Sequence, residues 1–371
     1  MNRFNLILRL RRATKKVILL RKIIDSIPAI SRFDSFVDQY SRVMIECNKV
    51  SKLLLNDDRQ ELNLVCDLRC TPPTYGDFSA FLMAARILSA RSEVTFIMVI
   101  DELRSDWRER SHEDQLNLIS DFKDLVNSAL VNHIVDFRVV SSFSDLQHLI
   151  DESNTIFFDF VSQRKKVYWD LKLLNNLLYK KLGSDATILL DYLDYVKLNV
   201  EHPTRYALWH VRAESLWAKE DDLGDEEIIS TYSLLRRVLG AEIQIVVCGN
   251  DRALCKIMSL AKQYQIDVVS AREYSDNFLG DLVLLGGCKF FFQFGGGGFA
   301  EFAWSSSVPF FIASYPYSYR TFRKISRIQQ TNNQVTSWQT TNQVFLLKMK
   351  KSKVDLESEL KKFCSSLGAV N

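Results

Sequence analysis

The sequence predicts an α/β protein made of two parallel sheets with helices on both faces, preceded by a helical N-terminal extension. Three observations predict it. Short apolar runs rich in β-branched and aromatic residues alternate with amphipathic helical runs from Leu62 onward. The alternation starts afresh after the loop around "EHPTRY". The 371 residues are too many for one core and suit two domains of ordinary size.

The first residues, "MNRFNLILRLRRATKKVILLRKIID", place eight Lys or Arg before the first acid, Asp25, among Phe4, Leu6, Ile7, Leu8, Leu10, Val17, Ile18, Leu19 and Leu20. Residues 1–60 therefore read as a basic amphipathic helical segment. Residues 1–22 either lie on an anionic membrane surface or pack their apolar stripe on the protein.

The first sheet unit, 61–200, opens with the strand "LNLVCDLR", the turn residues "CTPPTYGD" and the helix "FSAFLMAARILSA". Strand "VTFIMVI" (Val94 to Ile100), helix "HEDQLNLISDFKDLVNSAL", strand "HIVDFRVV" and strand "TIFFDFV" (Thr155 to Val161) follow. The second unit, 201–347, runs strand "YALWHVR" (Tyr206 to Arg212), helix "DEEIISTYSLLRRVL", strand "EIQIVVCG", helix "DRALCKIMSLAKQY", strand "IDVVS", helix "NFLGDLVLLGGC" and strand "KFFFQF". Both units are Rossmann-like. Residues 348–371 form a C-terminal helix able to fold over either unit.

Composition narrows the partners. A net charge of +3, from 48 basic and 45 acidic residues, is not that of a nucleic-acid-binding domain. Seven cysteines without a CxxC pair read as reduced thiols in a cytoplasm, and no apolar run is long enough to span a bilayer. A cytoplasmic protein, at the inner face of a membrane through its basic start, is the expectation.

In parallel α/β sheets ligands bind beyond the carboxyl ends of the strands, so the loops there hold the candidate site. Gly295, Gly296, Gly297 and Gly298 follow "KFFFQF" and precede a helix starting near Phe299. Such glycines let backbone N–H groups approach an anion such as a diphosphate, or serve only a tight turn. The first strand of the second unit ends in His210, Val211 and Arg212, where an arginine can grip a phosphate with two parallel hydrogen bonds. In the first unit Gly76 and Asp77 open a helix; Asp77 is either a base or an N-cap. "CGNDRA" and "SAREYSD" supply Asn250, Asp251 and Arg272, which are ligand contacts or turn and capping residues.

These residues resemble a family. "GGFAEFAWSSSVP" (Gly297 to Pro309) follows a GGxxExA pattern with a proline six residues after the alanine. It is similar to the C-terminal domains of two-Rossmann-domain (GT-B) glycosyltransferases and of nucleotide-sugar 2-epimerases. His210 and Arg212 resemble the H-x-R of fucosyltransferases, and Gly76-Asp77 resembles the heptosyltransferase branch. The resemblance implies two domains facing a cleft and a nucleotide sugar as donor substrate, held by His210, Arg212, Asn250, Arg272, the four glycines and Glu301. It also implies Asp77 as catalytic base, inversion, and no cofactor or metal. The ribose-binding glutamate of the family lies seven residues before the proline; here that position is Phe302, with Glu301 one step away. The implied acceptor is a glycan or lipid-linked glycan of cell-surface polysaccharide biosynthesis. A nucleotide-sugar epimerase and a non-catalytic glycan-binding protein of the same fold are the alternatives.

Overall fold

The computed structural model of the chain describes residues 60–67, helical positions 75, 78, 79, 82, 85, 88 and 89, and residues 92–99, 112–127, 134–140, 155–157, 203–214, 222–294, 298–304, 306, 308–314, 343–347 and 356–368. The expected N-terminal helix, 1–60, lies outside these residues except for its last position.

The first unit contains β1 (Gln60–Asp67), β2 (Ser92–Val99), helix α1 (His112–Asn127), β3 (Ile134–Val140) and β4 (Thr155–Phe157). Its sheet has the order β3-β2-β1-β4, and every pairing is parallel. Leu62, Leu64, Phe96 and Met98 are fully buried, as expected of parallel strands covered on both faces. The helical residues Phe78, Leu82, Ala85 and Leu88 and the α1 residues Leu118, Phe122 and Leu125 are buried as well. Phe78 stacks on Phe122 at 3.8 Å and meets Phe96 edge-on at 5.7 Å, which seats both helical segments on the sheet.

The second unit contains β5 (Tyr206–His210), α2 (Asp225–Leu239), β6 (Gln244–Cys248), α3 (Asp251–Tyr264), β7 (Val269–Ser270), α4 (Phe278–Gly287), β8 (Phe290–Phe294), α5 (Ala300–Trp304), β9 (Phe310–Ser314), β10 (Gln343–Leu347) and α6 (Leu356–Ser366). Its all-parallel sheet has the order β10-β9-β8-β5-β6-β7. The chain thus winds outward from β5 to β7, returns, and continues from β8 to β10 on the other side. The order reverses between β5 and β8.

One face of this sheet carries α2, α3 and α6, packed on Ala207, Trp209, Ile245, Val247, Phe290 and Phe292. The C-terminal helix belongs to this core: Leu360, Phe363 and Cys364 are buried, and Phe363 meets Phe290, Phe292 and Phe311. The opposite face carries α4 and α5. Tyr206 donates its hydroxyl to the Leu284 carbonyl at 2.6 Å, and Phe291 packs on Phe299 at 5.8 Å.

The two units touch through an aromatic pair. Tyr75, from the segment after β1, stacks on Phe278 at the start of α4, with ring centroids 4.1 Å apart and planes 24° from parallel. Among the described residues no helix is long and apolar enough to cross a membrane.

Candidate functional site

The point where the strand order reverses is where two neighbouring loops part to opposite faces and leave a crevice. In the second unit that point lies between the carboxyl ends of β5 and β8, where His210 and Gln293 are direct register partners. The loop after His210 carries Arg212. The connection from Phe294 to Ala300 carries the glycine run. The His210–Arg212 pattern and the glycine run therefore leave from adjacent strand ends, although they are more than 80 residues apart in the chain.

His210 stacks face to face on Phe299, 5.2 Å between centroids and 2° between planes. Its Nδ1 is sealed from solvent and has no hydrogen-bond partner among the described residues. Burial first, and the Arg212 charge second, lower its pKa to about 3. At neutral pH the ring is an uncharged imidazole that can offer a hydrogen bond but no positive charge.

Arg212 donates from Nε to Asp222 Oδ1 at 3.1 Å, and both side chains are mostly buried. Its carbonyl accepts from Leu223 N at 2.9 Å. These two contacts fasten the ends of the loop between β5 and α2. The sequence reading missed Asp222; an anion here would share Arg212 with a carboxylate. The signal available was an acidic residue ten positions on, which sequence alone does not fold back.

The turn after β6 is shaped by Gly249, whose φ of +154° lies outside the range of L side chains. A Cβ there would stand 2.5 Å from the Val211 carbonyl oxygen. That close approach brings the turn against the loop of Arg212, and Val211 N donates to the Cys248 carbonyl at 2.8 Å. Asn250 caps α3, accepting from Ala253 N through Oδ1 at 2.7 Å, and donates to the Ala213 carbonyl at 3.5 Å. Both ends of its amide are in structural use.

Arg272 is likewise committed. It forms a two-pronged pair with Asp281, 2.8 and 3.2 Å, and donates to the Ser275 carbonyl at 3.2 Å and to Asp251 Oδ1 at 3.3 Å. Asp281 is buried in the first turn of α4. Burial raises its carboxyl to about pKa 6, against the pull of Arg272. Arg272 thereby pins the start of α4, which is also capped by Asn277. Gly280 faces Ser275 so closely that a Cβ would collide with it.

Gly298 lies in the turn before α5; Gly295, Gly296 and Gly297 lie outside the described residues, as does Asp77. Helix α5 is only five residues long, so its dipole is weak and any anion would depend on the turn amides. Phe302 is fully buried and meets Phe278 edge-on at 5.2 Å. An aromatic core contact thus occupies the position where the family pattern has its glutamate. Glu301 is within α5; its side chain is outside the described set. Among the described residues no three His, Cys, Asp or Glu side chains converge as metal ligands would.

No protein-family model matches the sequence, and no curated protein matches it. Solved structures similar to the chain include a glycosyl transferase of family 9 from Veillonella parvula DSM 2008, 10% identical over 85% of this chain and 98% of that one, with a TM-score of 0.47. The E. coli heptosyltransferase WaaC with ADP is 13% identical over 83% of this chain and 99% of its own, with a TM-score of 0.44. The same enzyme with ADP-2-deoxy-2-fluoro heptose is 14% identical over 69% and 89%, with a TM-score of 0.38.

Proposed function

We propose that the protein is a glycosyltransferase that binds a nucleotide sugar at the carboxyl edge of the second sheet and transfers the sugar to a glycan or lipid-linked glycan. The observation carrying this reading is the pairing of His210 with Gln293 at the reversal of strand order, which brings the Arg212 loop and the glycine connection together. An unpartnered, buried His210 Nδ1 at that place supports a ligand that brings its own hydrogen-bonding group.

In the transfer, the acceptor hydroxyl oxygen forms a bond to the anomeric carbon while the bond from that carbon to the diphosphate oxygen breaks. The hydroxyl proton passes to the Asp77 carboxylate, and the electron pair leaves with the diphosphate. Arg212 and the turn amides stabilise the departing charge, and no metal is required. His210, uncharged, orients an oxygen by hydrogen bonding. Asn250 and Arg272 act on the donor through the loops they fasten. Inverting stereochemistry follows from direct displacement with Asp77 as base. The basic segment 1–22 would hold the enzyme at the inner membrane face, beside lipid-linked acceptors.

Thermal unfolding with GDP, UDP, CMP and ADP tests the reading. A nucleotide at 100 times its Kd should stabilise the fold by about 2.7 kcal/mol. No response to any of the four would overturn it.

A further inference from the structure

The connection that leaves β5 with Arg212 and returns to α2 is braced from outside by Lys256 of α3. The Lys256 ammonium donates to Asp225 Oδ1 at 2.9 Å and to Glu214 Oε1 at 3.2 Å. Glu214 lies two residues beyond Arg212 on the outgoing side, and Asp225 lies three residues beyond Asp222 on the returning side. One cation therefore ties the same two sides that Arg212 ties from within, through Asp222 at 3.1 Å and through its carbonyl to Leu223 N at 2.9 Å.

The backbone here needs such a brace. Glu214 has a φ of +50°, in the left-handed region that residues with a Cβ rarely adopt. A residue stays there only where its surroundings fix it. The support comes from one flank of α3, because Asn250, Ala253 and Lys256 are spaced three residues apart. Asn250 reaches the Ala213 carbonyl at 3.5 Å, Ala253 is fully buried, and Lys256 holds the Glu214 side chain. The Lys256 side chain is only 22% exposed, so its charge is less screened than that of an outer lysine. Removing that charge would leave Glu214 and Asp225 without the cation that faces them, beside an arginine already shared with Asp222. Their fields would then oppose a bound anion.

We propose that Lys256 is a positioning residue for the donor: it fixes the backbone on both sides of Arg212 and offsets the carboxylates around it, so that Arg212 meets a nucleotide phosphate. This rests on the glycosyltransferase reading and adds a residue that acts through the connection rather than on the ligand.

Calorimetry on the full chain tests it, with whichever of GDP, UDP, CMP or ADP binds the unaltered protein. Lys256→Met should weaken nucleotide Kd by about fivefold, the upper end of what a partly exposed ion pair supplies. Lys256→Arg, whose fork reaches two carboxylates, should recover most of that affinity. Glu214→Gln alone should weaken binding by about twofold, and in the Lys256→Met background it should weaken it no further, because both changes act on one contact. A brace of the fold alone would lower the unfolding midpoint of Lys256→Met and leave Kd where it was. That result, equal weakening in Lys256→Arg, or additive losses in the double variant would overturn the proposal and leave the donor site standing. Should Lys256→Met not fold, Glu214→Gln decides, since its side chain is more than half exposed, and an unchanged Kd there would overturn the proposal. Failure of all four nucleotides to bind the unaltered protein would overturn the proposed function and this inference with it.

Discussion

Arg272 and Asp281 are joined by two parallel hydrogen bonds, Nη1 to Oδ1 at 2.8 Å and Nη2 to Oδ2 at 3.2 Å, with the aspartate side chain only 7% exposed. The planar fork of an arginine matches a carboxylate in this way, and a lysine cannot reproduce it. Removing the arginine strands a buried charge. Arg272→Ala should therefore lower unfolding stability by about 3 to 5 kcal/mol, with Arg272→Lys in between, as read by guanidinium denaturation. A stable Arg272→Ala protein that merely lost nucleotide affinity would show instead that Arg272 serves the ligand directly.

His210 gives the fold a predictable acid response. Its folded pKa of about 3 lies below the 6.5 of an unfolded histidine, so the unfolded chain binds the extra proton as pH falls. The stabilisation is complete above pH 6.5 and is lost progressively toward pH 3. At pH 5 the loss is about 2 kcal/mol, taking 1.36 kcal/mol per pH unit. Stability measured at pH 7 and pH 5 should fall by that much more in the unaltered protein than in His210→Asn. Equal slopes would mean that the ring titrates normally.

Gly249→Ala asks a backbone at φ +154° to accept a Cβ that would press on the Val211 carbonyl. The strain should cost about 1 to 3 kcal/mol. Because Arg212 is the next residue after Val211, nucleotide affinity should weaken along with stability. Calorimetry showing undiminished affinity in a destabilised variant would separate the turn from the site.

Asn250→Ala removes the α3 cap, at a cost of about 1 kcal/mol, and Asn250→Asp should recover most of it. Nucleotide affinity should follow the same order if Asn250 acts through the loop. An Asp variant that regains stability but not affinity would point to direct contact by the amide.

Asp77→Asn should leave nucleotide binding intact and lower transfer by at least about 100-fold, the typical contribution of a general base. Unchanged turnover would remove Asp77 from that role.

Much of this fold was legible in the sequence because buried parallel strands are short continuous apolar runs between turn residues. "YALWH" and "QIVVC" are strands in the structure as the pattern predicts, and α2 coincides with "DEEIISTYSLLRRVL". Arg212 and Val211 fall just beyond β5, whose ladder ends at His210, and β7 keeps only Val269 and Ser270 of "IDVVS". Strands β9 and β10, which the sequence analysis did not name, extend the sheet beyond β8, β9 pairing with β8 and β10 with β9. The site was half legible. Strand-end position singled out His210 and Arg212 as candidates, whereas their partners, Asp222 and Phe299, are set by how loops fold back. The pairing of Arg272 with Asp281 was not legible, because nothing in sequence announces that Asp281, nine residues on, returns to face it.

The placement of α6 bears on how the chain acquires its structure. Leu360, Phe363 and Cys364 complete the packing against Phe290, Phe292 and Phe311, so this sheet lacks part of one wall until those late residues emerge. Among the described residues the first sheet makes all its strand pairings without anything beyond β4. During synthesis the first unit can settle early, while phenylalanines of the second stay bare until α6 has been made, which makes that interval the one most prone to aggregation.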